Sequence, residues 1–147
     1  MAQLKARRVR KTYLALVAGS PAAELGRIEA PIGRDPRNYR RMAVVPAGRP
    51  AITGYRARER FADWTLLEVD LHTGRTHQIR VHLEAVGLPV SGDSVYGVSG
   101  DLGLARQFLH AARLAFPHPL SGRQVDVESP LPTDLAAALK AARSEPA

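Results

Sequence analysis

The chain has 147 residues, 45% of them apolar, which suits a single domain with a real core. It has no cysteine, which excludes disulfides and thiolate metal sites, and no apolar run near the roughly 20 residues that span a bilayer. The formal net charge of +7 is unevenly placed: residues 1–60 hold 14 Lys/Arg against 4 Asp/Glu, and residues 61–147 hold 7 against 10.

The N-terminus "MAQLKARRVRK" lacks the apolar stretch of a secretory signal, so a soluble cytoplasmic protein with no membrane partner is expected. Arg outnumbers Lys 18 to 3. A GC-rich genome explains that preference but not the segregation of charge. Guanidinium groups grip phosphates bidentately and stack on bases, so the basic half points to a nucleic-acid partner.

Residues 2–10 read as the last turns of a basic helix. "KTYLALVAG" (11–19) is a nearly continuous apolar run and reads as a buried strand. Short strands are expected at Gly26–Ala30, Met42–Val45 and Ala51–Glu59. Between them "GRDPRNYRR" (33–41) reads as a loop carrying Arg34, Arg37, Arg40 and Arg41 around Tyr39. Such a loop suits RNA, by phosphate pairing and stacking, and equally suits an ordinary solvated surface.

"WTLLEVDLHTG" (64–74) alternates with period two. Leu67, Val69 and Leu71 face one way, and Leu66, Glu68 and Asp70 the other. The period then changes: Ile79, Leu83 and Val86 recur at helical spacing, with Thr73 or Thr76 available as cap and Gly87 suited to the end. A loop follows to Gly103, then the segment "QFLHAARLAF" (107–116), a short strand in "RQVDVESP" (123–130), and a C-terminal helix in "PTDLAAALKAAR" (132–143), capped by Thr133 or Asp134. Strands mixed with a few helices, without strict alternation, predict an α+β fold: a mixed, mainly antiparallel sheet with flanking helices.

The stretch "HTGRTHQIRVHLEAVGLPVSGDSVYG" (72–97) is dense in polar residues. His72, His77 and His82 are five apart, and five residues on a helix leave about 140° between side chains. A two-histidine metal clamp needs i, i+4, so no metal site is expected. The glycines of "GDSVYGVSGDLG" match neither phosphate-loop spacing and are read as turns. Arg80 lies beside the apolar stripe. Its guanidinium can reach a cleft at the sheet edge or pair with Glu84 at i+4.

The same stretch closely resembles the third signature motif of the RluA-type RNA pseudouridine synthases. "RRVRKTYLALVAG", "GRIEAPIGRDPRNYRRMAV" and "FLHAARLAFPHPLSG" resemble the family's other segments in order, over about residues 2–143. The resemblance implies isomerisation of uridine to pseudouridine in ribosomal or transfer RNA, without metal or organic cofactor. It implies that Tyr13 is the tyrosine that stacks on uracil, Arg80 the arginine that pairs with the active-site aspartate, and Leu109 an apolar residue lining the uracil pocket. A target base must leave its stack to be worked on, and a flat ring can hold it there. Read without the resemblance, Tyr13 and Leu109 are ordinary core residues.

One element of the family pattern is absent. Its aspartate lies in an HRLD-type motif ahead of the tyrosine strand, and these 147 residues contain none. Asp35 belongs to the basic segment, Asp70 to a strand, and Asp93 is read as ordering the loop after the helix. The resemblance therefore implies a single, incomplete catalytic domain over 1–147, inactive alone. The aspartate would come from a longer reading frame or a separate N-terminal half. A non-catalytic RNA-binding module is the alternative. Strands missing from a shared sheet also predict an open edge and self-association.

Overall fold

Alternation along β1 (Arg10–Ala18) and β6 (Trp64–Leu71) gives a sheet with two apolar faces. The computed structural model describes residues 9–144. The remaining strands are β2 (Leu25–Glu29), β3 (Ile32–Asp35), β4 (Asn38–Val44), β5 (Ile52–Arg60), β7 (Leu109–Pro117) and β8 (Gln124–Glu128). Six of them form one sheet in the order β2-β5-β6-β1-β7-β8, every neighbouring pair antiparallel. The helices are α1 (Gln78–Ala85) and α2 (Thr133–Ser144), with a single 3-10 turn at Asp101–Gly103. The expected α+β architecture is what the chain adopts. None of the described helices is long and apolar enough to cross a membrane.

Each helix covers one face. Ala15, Val17, Ala57, Leu67 and Val69 pack against Ile79 and Leu83 of α1. Leu16, Leu66 and Phe108 pack on the other face against Leu135, Ala138, Leu139 and Ala142 of α2. The side chains expected to point apart along β6 do so. A third, smaller cluster joins Ile32, Ala51, Val81 and Tyr96, with Met42 against it. It docks the separate β3–β4 hairpin onto α1.

Several expected boundaries differ. The 33–41 loop is instead most of a hairpin: Gly33 pairs with Ala43 and Arg34 with Met42, around a turn at Pro36–Arg37. Charge and Pro obscured the strands, because this ribbon lies outside the main sheet and needs no continuous apolar face. The basic helix expected over residues 2–10 falls mostly outside the described residues; Arg10 already belongs to β1. Helix α2 starts at Thr133 itself, and Asp134, in its first turn, takes the Arg106 guanidinium at 2.8 and 3.0 Å.

Helix α1 is only eight residues, too short to persist without tertiary support. Its end is locked by Gly87 N–H to Glu84 O (3.0 Å) and Leu88 N–H to Leu83 O (2.8 Å), with Gly87 at φ 79°. That is a Schellman closure, for which the left-handed residue is best a glycine.

Candidate active site

The start of α1 is built from side chains rather than by the expected threonine cap. Thr73 donates instead to Gln78 Oε1 (2.7 Å), and Gln78 Nε2 donates to Ile52 O (2.9 Å) and Thr53 Oγ1 (2.8 Å). Thr53 Oγ1 in turn meets His82 Nδ1 at 2.7 Å, and His82 Nε2 meets Ala30 O at 2.9 Å. Ala30 O can only accept, so His82 carries its proton on Nε2 and Thr53 donates to Nδ1. Burial holds His82 below its ordinary value, against the pull of the Ala30 carbonyl. This satisfied network bolts the helix to β5 and to the end of β2.

His77 occupies the cap position in a left-handed conformation, φ 56° and ψ 22°. Few residues other than glycine adopt it, and such residues cluster at functional sites. Its Nδ1 lies 2.9 Å from the Tyr96 hydroxyl. Burial first, then the Arg80 charge, lowers its pKa.

Arg80 leaves α1 toward Asp93, not toward Glu84. Its Nε and Nη2 donate to the two Asp93 carboxylate oxygens at 2.6 and 2.9 Å. Asp93 is wholly buried and also accepts the N–H groups of Val95 (3.0 Å) and Tyr96 (3.1 Å). Burial alone would raise its pKa. The Arg80 hydrogen bond and the Tyr96 and Val95 amides outweigh that and hold it below the ordinary value. The expected role of Asp93 in ordering its loop is therefore half of what it does. Asp93 takes the side-on edge of the guanidinium. Among the described residues, Nη1 makes no hydrogen bond.

Glu84 pairs instead with Arg41 Nη2 at 2.9 Å. Arg41 also donates from Nη1 to Val95 O (3.3 Å), while its Nε lies 3.3 Å from Asp35 Oδ2 without hydrogen-bond alignment. The basic set of the hairpin thus divides. Arg41 turns inward, Arg34 donates to Tyr39 O (2.9 Å), and Arg37, Tyr39 and Arg40 project into solvent.

Tyr13 and Leu109 share the sheet face that α1 covers, packed against the cluster holding Ile79. Tyr13 pairs across β1–β7 with Ala111, and Ala15 with Leu109, so the two side chains are diagonal neighbours. A bulge between Thr12 and Tyr13 shifts the register beside the tyrosine. Such bulges re-aim side chains next to sites. Tyr13 lines an open groove of about 310 Å³ together with Lys11, Ala111, Arg113 and Val127. No hydrogen bond joins Tyr13 to Arg80. They are placed by neighbouring elements on one face.

The three histidines diverge: His82 is buried against Ala30, His77 meets Tyr96, and His72 is exposed. Among the described residues, no group of three or more His, Asp or Glu is gathered to hold a metal ion. Sequence reasoning missed the hairpin, the Arg80–Asp93 pairing and the place of Tyr96. One signal pointed there: an aspartate two and three residues ahead of free amides is the pattern of a side-chain-closed turn.

Known proteins match this chain in sequence and in fold. A family model described as RNA pseudouridylate synthase matches residues 1–85. An uncharacterized RNA pseudouridine synthase of Chloroflexus aurantiacus is 59% identical over 139 residues, covering 94% of this chain and 44% of that protein. A ribosomal large subunit pseudouridine synthase D of Nitrosomonas europaea is 51% identical over 152 residues, covering 98% and 44%. The chain thus spans less than half the length of these curated relatives. The solved structure of human RNA pseudouridylate synthase domain containing 1 superposes with a TM-score of 0.75 at 31% identity, covering 99% of this chain and 70% of that one.

Proposed function

The chain belongs to the RNA pseudouridylate synthase family, and from that premise we propose that it supplies the tyrosine and arginine of a uridine-isomerising site acting on ribosomal or transfer RNA. The observation that carries this reading is the state of Arg80. Its side-on edge is committed to Asp93, while Nη1 has no partner among the described residues. A guanidinium so held can take a second carboxylate on its remaining edge at no cost in reorienting. The aspartate of the family pattern would take that edge. Tyr13, beside Leu109 at the bulge, would stack on the flipped uracil, and its hydroxyl or an intervening water would move the carbon-5 proton.

The 147 residues contain no HRLD-type motif. Turnover on this reading needs an aspartate from outside them, on the same polypeptide or a second one. The exposed Arg37, Tyr39 and Arg40 favour RNA binding by the chain even without turnover. RNA carrying tritium at uracil carbon 5 tests both parts. The chain alone releases no label. A polypeptide that joins it to an HRLD-bearing segment releases label, and Arg80→Ala in that polypeptide abolishes release. Release by the 147 residues alone would overturn the need for the outside aspartate. Release undiminished by Arg80→Ala would remove Arg80 from the site.

A further inference from the structure

Tyr96 is only 2% exposed and packs with Ile32, Ala51 and Val81, yet its ring and hydroxyl also meet charged and polar groups. The guanidinium carbons of Arg41 and Arg80 lie over its ring, 4.8 and 4.9 Å from the centroid. Its hydroxyl accepts the Met42 N–H at 2.8 Å and sits 2.9 Å from His77 Nδ1. With the amide proton spoken for, the hydroxyl proton is free to donate to a neutral His77. One side chain therefore touches β4, the cap of α1 and Arg80 at once. Its own backbone is pinned from the other side, by its N–H on Asp93 Oδ1.

The β3–β4 hairpin is not a strand pair of the main sheet. An isolated two-stranded ribbon is marginal in water and takes its orientation from what it packs on. Here it packs through Ile32, Met42 and Arg41 onto Val81, Glu84 and Tyr96. Arg41 and Arg80 would repel one another across this contact. Each guanidinium is attracted to the same ring, which offsets that repulsion, and Glu84 and Asp93 complete the neutralisation.

We propose that Tyr96 is a positioning residue: it holds the RNA-facing hairpin in register with Arg80, so that a strand gripped at Arg37, Tyr39 and Arg40 is presented to the Arg80 site. The inference rests on the reading of hairpin and Arg80 as parts of one RNA site. It adds a residue that touches neither RNA nor reacting atoms and acts through both.

The test uses the 147-residue chain and a fluorescein-labelled RNA stem-loop with uridines in its loop. Three variants are compared with wild type: Tyr96→Phe, Tyr96→Leu and Leu139→Ala. Leu139→Ala, on the opposite sheet face, is the control for general loss of stability. Tyr96→Phe keeps the ring and drops the hydroxyl. Its Met42 amide exchanges about tenfold faster, RNA affinity falls about fivefold, and the His77 ring titrates at higher pH, because the neutral imidazole has lost its donor. Tyr96→Leu loses more affinity than Tyr96→Phe, while Leu139→Ala leaves the His77 titration and the affinity unchanged. Wild-type values of Met42 exchange and RNA affinity in Tyr96→Phe would overturn the proposal. So would the same losses in Leu139→Ala at matched stability. If wild type fails to bind the RNA, the RNA reading falls, and Met42 exchange with the His77 titration then decides the register claim by itself.

Discussion

Replacing Asp93 by Asn tests the electrostatic frame of the site. The carboxylate is fully buried, and its partner Arg80 has a side chain only 13% exposed. Asn keeps the shape and one carbonyl oxygen for the Val95 and Tyr96 amides. It also turns an amide donor, or an uncharged oxygen, toward a guanidinium that no longer has a counter-charge. Removing one member of a buried pair costs roughly 3–5 kcal/mol, and the retained acceptor puts Asp93→Asn at the lower end, about 3 kcal/mol. A domain of this size loses about 2–4 °C of Tm per kcal/mol, so a fall of about 6–12 °C is expected.

The pH dependence gives a second, independent reading. A carboxyl held below its ordinary value contributes stability that is full above the unfolded value and lost as pH falls through the folded one. The gap between wild type and Asp93→Asn therefore narrows as pH drops below about 4. Urea denaturation at pH 7 and at stepped lower pH measures both effects. Glu59→Gln, which breaks the exposed pair with Arg143, serves as control and changes stability by less than about 0.5 kcal/mol. An Asp93→Asn protein as stable as wild type at pH 7, or a gap that does not shrink in acid, would refute the reasoning.

Four further outcomes follow from the same geometry. His82 and His77 are both held below their ordinary value of 6.5 when folded, so the unfolded chain binds more protons near that pH. Stability is thus full above about pH 6.5 and declines as pH falls through it, by at most about 1.4 kcal/mol per unit for each histidine; chemical denaturation from pH 8 to 5 measures the decline, and His82→Gln flattens it. A Cβ added at Gly97 would lie 2.1 Å from Val90 O, so Gly97→Ala destabilises by about 2 kcal/mol or more in the same assay. In RNA titrations over a salt series, Arg37→Ala with Arg40→Ala lowers the slope of log affinity against log salt by about 1.4, at roughly 0.7 per phosphate contact with a single strand. Arg41→Ala costs stability through Glu84 and Tyr96 and leaves that slope nearly unchanged.

The parts of this fold that periodicity writes plainly were legible. Leu67, Val69 and Leu71 against Leu66, Glu68 and Asp70 gave β6 and its two faces, and Ile79 and Leu83 gave the buried stripe of α1. The hairpin was not legible over 33–41, because its Gly, Pro and Arg residues show no alternating apolar face, and only the flanking Ile32 and Met42 enter a core cluster. Nor was the true partner of Arg80. Helical spacing favours Glu84, four residues on, but a local pair on an exposed helix surface is worth only a few tenths of a kcal/mol. Asp93 is thirteen residues away and buried, with two backbone amides already aimed at it. That difference in solvation, which spacing cannot express, decides which carboxylate Arg80 takes and releases Glu84 to bind the hairpin.

The histidine-rich stretch shows why a short helix can carry a charged site. Helix α1 cannot hold an arginine steady by its own stability. Thr73, Gln78, Thr53 and His82 anchor it to β5 and the end of β2, and the Gly87 closure fixes its far end. With both ends fixed, only the Arg80 rotamer remains to be set, and Asp93 sets it from a loop locked onto the same helix through Tyr96 and His77. What composition presented as three scattered histidines is one anchor inside, one strained cap outside, and one exposed ring at the strand's end. The arginine between the first two is held in one orientation by Asp93, with Nη1 unpartnered among the described residues.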